Sequence, residues 1–129
     1  MNQESRKIKS FTDLTTWKLG HQLVLEVYRV TKKFPKEEIF ALTSQLRRAA
    51  VSFISNIAED FSRFSYKEKS QFYSTALGSL TEIQNQLLIA RDVGYLPISD
   101  FNKLASQSVE VSRLTNGLIK KSRSLIHDS

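Results

Sequence analysis

A stripe of polar side chains follows the segment 45–59, and its members are the residue types that form directed hydrogen bonds. They recur every three or four positions, so on a helix they share one face. The stripe consists of Gln45, Arg48, Ser52, Asn56 and Glu59. Two amides, a guanidinium, a hydroxyl and a carboxylate can either bind a ligand or hydrogen-bond one another within the fold.

A second polar stripe has the same helical spacing further along the chain. Its members are Thr75, Ser79, Glu82 and Gln86. If the two helices form a hairpin around residue 64, facing positions sum to about 129. Arg48 is then level with Glu82, Ser52 with Ser79, and Asn56 with Tyr73. We therefore predict a buried or half-buried Arg48–Glu82 ion pair within a structural polar network, and a binding surface is the alternative. The network comprises Gln45, Arg48, Ser52, Asn56, Glu59, Ser79 and Glu82.

Four long helices carry these stripes. The chain has only four glycines and two prolines, which favours long uninterrupted segments. The capping motifs predict helices at about 14–33, 44–62, 66–93 and 100–126. The predicted N-terminal caps are Asp13 for the first helix, Thr43 or Ser44 for the second and Ser65, in a capping box with Glu68, for the third. Gly94 is predicted to end the third helix.

Apolar residues recur at helical spacing along each predicted helix, and on the first and third the buried stripe has the seven-residue period typical of a helical bundle. The second helix buries Leu46, Ala49, Ala50, Phe53, Ile57 and Phe61. The predicted buried stripe of the first helix is Leu14, Trp17, His21, Val24, Tyr28 and Thr31. That of the third is Tyr73, Ala76, Leu80, Ile83, Leu87 and Ala90. That of the fourth is Phe101, Leu104, Val111, Leu114, Leu118 and Leu125.

The pattern predicts one all-α domain over residues 1–129, an up-down-up-down four-helix bundle with flexible ends at 1–10 and 127–129. Six apolar residues lie off the predicted core stripes and are expected to contact a neighbouring protomer. They are Phe72, Leu77, Leu88, Ile89, Val109 and Ile119.

Residues for catalysis or metal binding are scarce. Cysteine is absent, and His21 and His127 are the only histidines. No Glu-x-x-His pair, glycine-rich phosphate loop or nucleophile elbow occurs. We predict a non-enzymatic protein without a cofactor or metal. The beginning of the chain lacks the apolar region of a signal peptide, and no run is long enough to span a bilayer, so we expect a cytoplasmic protein.

Basic residues concentrate at one end of the predicted bundle. The net charge is +6 and the isoelectric point about 9.7. Alternating helix directions bring nine basic residues to that end, where Phe64 and Tyr66 are placed to stack on bases. These candidate nucleic-acid ligands are Arg6, Lys7, Lys9, Arg63, Lys67, Lys69, Lys120, Lys121 and Arg123. A solvated bundle end of mixed charge is the alternative.

Three segments resemble one family closely. They are FTDLTTWKLGHQLVLEVYRVTKKFP, LTSQLRRAAVSFISNIAED and ALGSLTEIQNQLLIARDVGYL. The chain is similar to the four-helix-bundle family of 23S rRNA intervening-sequence proteins, which includes the accessory variability proteins of diversity-generating retroelements. The chain departs from the family pattern at Asp60 and Ala41, where the family usually has glycine, and at Gly20, where alanine is usual.

The resemblance implies a ring-like homopentamer. In the retroelement branch it also implies a basic surface that binds nucleic acid and a reverse transcriptase. We therefore expect a non-enzymatic homo-oligomer that binds the RNA or DNA backbone, as a possible accessory to a reverse transcriptase. The alternative is a structural or adaptor oligomer whose partner is another protein, without nucleic-acid binding.

Overall fold

The computed structural model describes residues 8–126, and this part of the chain is all-α. Its helices are α1 (Thr15–Thr31), α2 (Leu42–Phe61), α3 (Tyr66–Asp92) and α4 (Ile98–Ser124). Single 3-10 turns precede α1 and α2, at Phe11–Asp13 and Lys36–Glu38. Of the ends predicted to be flexible, 1–10 and 127–129, residues 1–7 and 127–129 lie outside the described residues.

Short connections make consecutive helices antiparallel. α2 packs against α1 and α3, and α4 packs against α3 and α1, so each helix has two neighbours. This is the arrangement of an up-down-up-down four-helix bundle, as predicted. The beginning of α1, the α2–α3 turn and the end of α4 therefore lie at the same end of the molecule.

The first two helices begin differently from the prediction. Asp13 does not cap α1; its carboxylate accepts hydrogen bonds from the backbone N–H groups of Lys9 and Ser10, each at 3.0 Å. These bonds hold the pKa of Asp13 below its ordinary value. α1 instead begins after Leu14, without a side-chain cap.

The predicted caps of α2 are also wrong, because the helix begins earlier. Thr43 is buried inside the first turn and Ser44 follows it within the helix. The carboxylate of Glu38, in the preceding 3-10 turn, accepts the N–H of Leu42 at 3.2 Å. Glu38 also accepts the Tyr95 hydroxyl at 3.0 Å, so it joins two connections at this end of the bundle.

The predicted boundaries of α3 are confirmed. The Ser65 hydroxyl accepts the N–H of Glu68 at 3.1 Å, which is one of the two bonds of the predicted capping box. Gly94 follows the helix with a φ of 86°, a conformation that L-residues rarely adopt. The N–H groups of Tyr95 and Leu96 then bond back to the Ala90 carbonyl.

α3 buries every residue of its predicted stripe, whereas α2 leaves Phe61 half-buried and buries Leu42, Thr43 and Asp60 in addition to the predicted residues. α1 is rotated relative to the prediction: Val24 and Thr31 are buried, but Trp17 and His21 lie at the edge, stacked 4.5 Å apart. Tyr28 is exposed. The buried residues of α1 are Thr16, Gly20, Leu23, Val24, Val27, Val30 and Thr31.

Close packing against α2 explains the rotation of α1. A Cβ atom on Gly20 would lie 2.7 Å from Cε2 of the Phe53 ring, which is fully buried. Only glycine leaves space for this ring, so α1 presents its smallest residue to α2. The larger aromatic residues are then turned to the margin of the core.

α4 also buries a different face from the predicted one. Leu104 and Val111 are buried as expected, whereas Phe101, Leu114, Leu118 and Leu125 are half-buried. Ile119, predicted to face a neighbouring protomer, is buried in the core with 5% exposure. The face is completed by small hydroxyl residues, which can bond back to their own helix as Thr115 does to the Val111 carbonyl. These residues are Ser108, Thr115 and Ser122.

Candidate nucleic-acid interface and polar cleft

The two polar stripes face each other across α2 and α3 in the predicted register. The hydroxyls of Ser52 and Ser79 are 2.9 Å apart and form a hydrogen bond. Asn56 donates its side-chain N–H to the Ser52 carbonyl at 2.8 Å. These three residues are the part of the predicted seven-residue network that is hydrogen-bonded, and only the Ser52–Ser79 bond joins the two helices.

The predicted ion pair between Arg48 and Glu82 is wrong. Both side chains are exposed, and neither belongs to an ion pair within residues 8–126. At an exposed position, holding two long side chains in one geometry costs about as much free energy as the attraction supplies. Glu59 is also outside the network, because it pairs with Arg63 one turn later at 2.6 Å.

The open part of the helix pair is a polar cleft. Gln86 is 9% exposed, and its side-chain oxygen has no hydrogen-bond partner among the described residues. The sequence placed this glutamine on the second stripe, but it was not selected as a site residue. The cleft has a volume of about 370 Å³ and is lined by Gln45, Arg48, Ala49, Ser52, Ser79, Glu82 and Gln86.

The basic end is the second candidate site. It comprises Lys9, Arg63, Lys67, Lys69, Lys120, Lys121 and Arg123; predicted members Arg6 and Lys7 lie outside the described residues. A hydrogen bond of 3.2 Å between Gln84 and Ser108 sets the α3–α4 register. At 1.5 Å per residue, the basic residues of α3 and α4 fall within about 8 Å of one another along the bundle axis.

Two members of the basic end are held by neighbours. The Arg63 guanidinium bonds Glu59 and lies 4.5 Å from the centre of the Phe72 ring. The Lys69 ammonium lies 3.4 Å from the Asp60 carbonyl oxygen. Arg63 and Lys69 are therefore positioned by the fold and less free to reach a phosphate.

The remaining basic side chains are exposed and form no ion pair within residues 8–126. They are Lys9, Lys67, Lys120, Lys121 and Arg123. Of the acidic residues at this end, Glu59 and Asp13 are bonded to Arg63 and to the backbone, whereas Glu68 is exposed. Phe64, in the α2–α3 turn, is 100% exposed. This end of the bundle thus presents exposed positive charges and one exposed aromatic ring, the features that single-stranded nucleic acids bind.

Asp60 is a buried carboxyl group beneath the basic end. The residue is fully buried, and its carboxyl group lies beside the Tyr73 hydroxyl. Burial raises the pKa of Asp60 to about 6, although nearby Tyr73, Lys69 and Arg63 partly oppose this. Burial and the adjacent carboxyl group also raise the pKa of Tyr73. The sign of this burial in the sequence is that Asp60 continues the apolar face of α2 formed by Phe53 and Ile57.

Two further observations bear on the type of protein. Residues 8–126 contain no cluster of three or more histidine or acidic side chains that could hold a metal ion. Across the same range, each helix is too short or too polar to cross a lipid bilayer.

The fold and these surfaces define an α-helical bundle with a basic end and a polar cleft. Residues 12–117 match the family model described as 23S rRNA-intervening sequence protein, and the chain belongs to this family. A solved structure, a protein of unknown function from the S23 ribosomal protein family of Bacteroides thetaiotaomicron, is also similar. It shares 18% sequence identity with a TM-score of 0.77, covering 82% of this chain and 99% of that one. No functionally curated protein matches significantly.

Proposed function

We propose that this protein is a non-enzymatic homo-oligomer that binds the phosphate backbone of RNA or DNA at its basic end. The observation that supports the proposal is the group of five exposed basic side chains without ion-pair partners. Counterion release on phosphate binding favours such a surface, whatever the base sequence. Phe64 adds a stacking surface for an unpaired base.

The chemistry favours single-stranded over double-stranded nucleic acid. An exposed aromatic ring can stack only on a base that is not already enclosed in a duplex. Long lysine side chains adapt to a flexible backbone and read no base edges, so we expect little sequence preference. A nucleic-acid partner also fits the cytoplasmic location predicted from the sequence.

Neutralising three lysines tests the interface. The Lys67→Gln, Lys120→Gln, Lys121→Gln variant is expected to bind single-stranded RNA at least tenfold more weakly at about 100 mM salt. Each lost phosphate contact lowers the slope of log affinity against log salt by about 0.7, so three lower it by about 2. Fluorescence anisotropy at several salt concentrations measures both quantities, with single- and double-stranded RNA and DNA as probes.

The opposite bundle end supplies a matched control. Lys32, Lys33 and Lys36 are likewise exposed, and replacing them with glutamine causes the same change in net charge. This variant should retain affinity within twofold. Equal losses in both variants would mean that binding depends on net charge alone, and wild-type affinity independent of salt would refute phosphate docking.

Two apolar surfaces on opposite sides of the bundle support assembly into a ring. On the α1–α2 side, Phe40 is 95% and Val51 44% exposed. On the α3–α4 side, Val109 is 63% and Leu88 41% exposed, beside a groove that is almost entirely apolar. Because the two surfaces differ and lie on opposite sides, each copy can contact the next one head to tail. Such contacts form a closed ring when the rotation between successive copies permits it. The homopentamer implied by the family resemblance is our proposal for its size.

Light scattering after size exclusion tests this assembly. A pentamer of the 14.8 kDa chain has a mass of about 74 kDa. Phe40→Asp, which places a charge in the proposed contact, is expected to shift the mass to that of a monomer. The matched control is Phe64→Asp, because Phe64 is equally exposed at the basic end. A monomeric wild-type protein, or a Phe40→Asp variant that remains a pentamer, would contradict the proposed contact.

The reverse-transcriptase partner implied by the resemblance stays a prediction. The exposed apolar surfaces would bind such a protein only where contacts between copies do not already bury them. The partner is therefore a proposal secondary to nucleic-acid binding and to ring assembly.

A further inference from the structure

We propose that the polar cleft between α2 and α3 binds a small zwitterionic molecule of the α-amino acid class. The two walls face each other in three levels. Ser52 and Ser79 form the first level and are joined by a hydrogen bond. The other two levels, Arg48 with Glu82 and Gln45 with Gln86, are open to a ligand.

The charged level matches the two charged groups of an amino acid. Arg48 presents a guanidinium that binds a carboxylate through two parallel hydrogen bonds. Glu82, on the facing helix, presents a carboxylate that accepts hydrogen bonds from an ammonium group. Neither side chain has an ion-pair partner within 4.0 Å in residues 8–126, so both charges are available. A ligand with only one charge would pair with only one of the two walls.

The amide level requires a hydrogen-bond donor. The side-chain oxygen of Gln86 is buried and has no described donor, a condition that costs free energy unless a partner is supplied. Gln45 lies on the opposite wall at the same level. A ligand side chain that carries an amide can donate to Gln86 and bond with Gln45. We therefore choose L-glutamine as the probe.

The closed level makes the site preorganised. The Ser52–Ser79 hydrogen bond and the small side chain of Ala49 hold the two helices together beside the open levels. The backbones of α2 and α3 then rearrange little when a ligand binds the cleft, which reduces the entropic cost of association. The cleft is also separate from the basic end, because its walls come from the first half of α2 and the second half of α3.

Isothermal titration calorimetry with L-glutamine tests the proposal on the full-length chain. Two analogues each lack one charge: glutaramic acid has no ammonium group, and 4-aminobutanamide has no carboxylate. We expect L-glutamine to bind and each analogue to bind at least tenfold more weakly. Absence of measurable binding by L-glutamine, or equal affinity for all three compounds, would overturn the proposal.

Variants of the two walls provide the second part of the test. Arg48→Met and Glu82→Gln are each expected to weaken L-glutamine binding at least tenfold, whereas Arg113→Met and Glu110→Gln, an exposed pair on α4, should leave it unchanged. Urea unfolding without ligand should differ little between Arg48→Met and wild type, because Arg48 is exposed and unpaired. A large loss of stability with unchanged ligand binding would show a purely structural role and overturn the proposal.

The cleft must also be distinguished from the proposed nucleic-acid interface. Arg48→Met should lose L-glutamine binding and retain RNA affinity, while the triple lysine variant of the basic end should show the reverse. If Arg48→Met loses RNA affinity and the wild-type protein does not bind L-glutamine, the cleft is a nucleic-acid site instead. This separation allows either proposal to fail without the other.

Discussion

Replacing Phe53 with alanine is expected to lower the free energy of unfolding by about 3–5 kcal/mol. Phe53 is fully buried and is among the largest side chains of the core. It lies against Gly20, which has no side chain to move into the vacated space. The cavity would therefore remain largely open. Urea denaturation followed by circular dichroism measures the loss. Phe64→Ala, the same change at a fully exposed position, should alter stability by less than about 0.5 kcal/mol.

Gly20→Ala tests the contact between α1 and α2 from the other side. In the wild-type background the new Cβ would press against the Phe53 ring. We therefore expect the free energy of unfolding to fall by about 1 kcal/mol, although alanine has the better helix propensity. In the Phe53→Ala background the same change should be stabilising, because the clash with the Phe53 ring is gone and the contact that remains, 3.1 Å to Cδ1 of Ile54, is with the end of a flexible side chain. Equal effects in both backgrounds would mean that Gly20 and Phe53 do not interact energetically.

Asp60→Asn is expected to stabilise the protein at pH 8 by up to about 3 kcal/mol, an advantage that should disappear near pH 4. The folded pKa of about 6 exceeds the ordinary value of 3.8. Above pH 6 the carboxyl group is charged in both the folded and unfolded states, and burial penalises the folded one. The difference of about two pKa units corresponds to about 3 kcal/mol.

The pH dependence has a definite sign. As pH falls from 6 to 4, the folded protein takes up a proton on Asp60 before the unfolded chain does, so this group adds stability on acidification. Urea denaturation of both proteins between pH 4 and pH 8 measures the difference, with Glu68→Gln as an exposed acidic control at the same end. A difference that does not change with pH would mean that folding does not raise the pKa of Asp60, and one that increases on acidification would mean that the carboxylate has a stabilising partner.

The fold class was predictable because periodicity and punctuation are local properties of a chain. Ser65 and Gly94 bond to backbone groups within a few residues, so the limits of α3 follow from the sequence around them. The α2–α3 hairpin has a four-residue turn, and this short connection set the register that brings Ser52 beside Ser79. Both predictions were confirmed because few distant contacts affect them.

The mispredicted parts of the fold depend on contacts between segments that are distant in the sequence. The start of α2 is set by Glu38, which also bonds Tyr95, a residue far along the chain. The face that α1 buries is set by the space Gly20 leaves for Phe53. The spacing of residues along a helix does not show whether a stripe faces the core or lies at its margin. The packing of the neighbouring helix decides which stripe is buried.

The polar stripes show the same division. The sequence by itself determined which residues share a face of α2 and α3 and at which level they meet, since helix geometry and a short turn require it. Only the tertiary structure decided that Ser52 and Ser79 close while Arg48 and Glu82 stay apart, because this depends on side-chain exposure and on the hydration of charges at the helix surface. The tertiary structure likewise buried Asp60 and left Gln86 without a hydrogen-bond donor in the described chain.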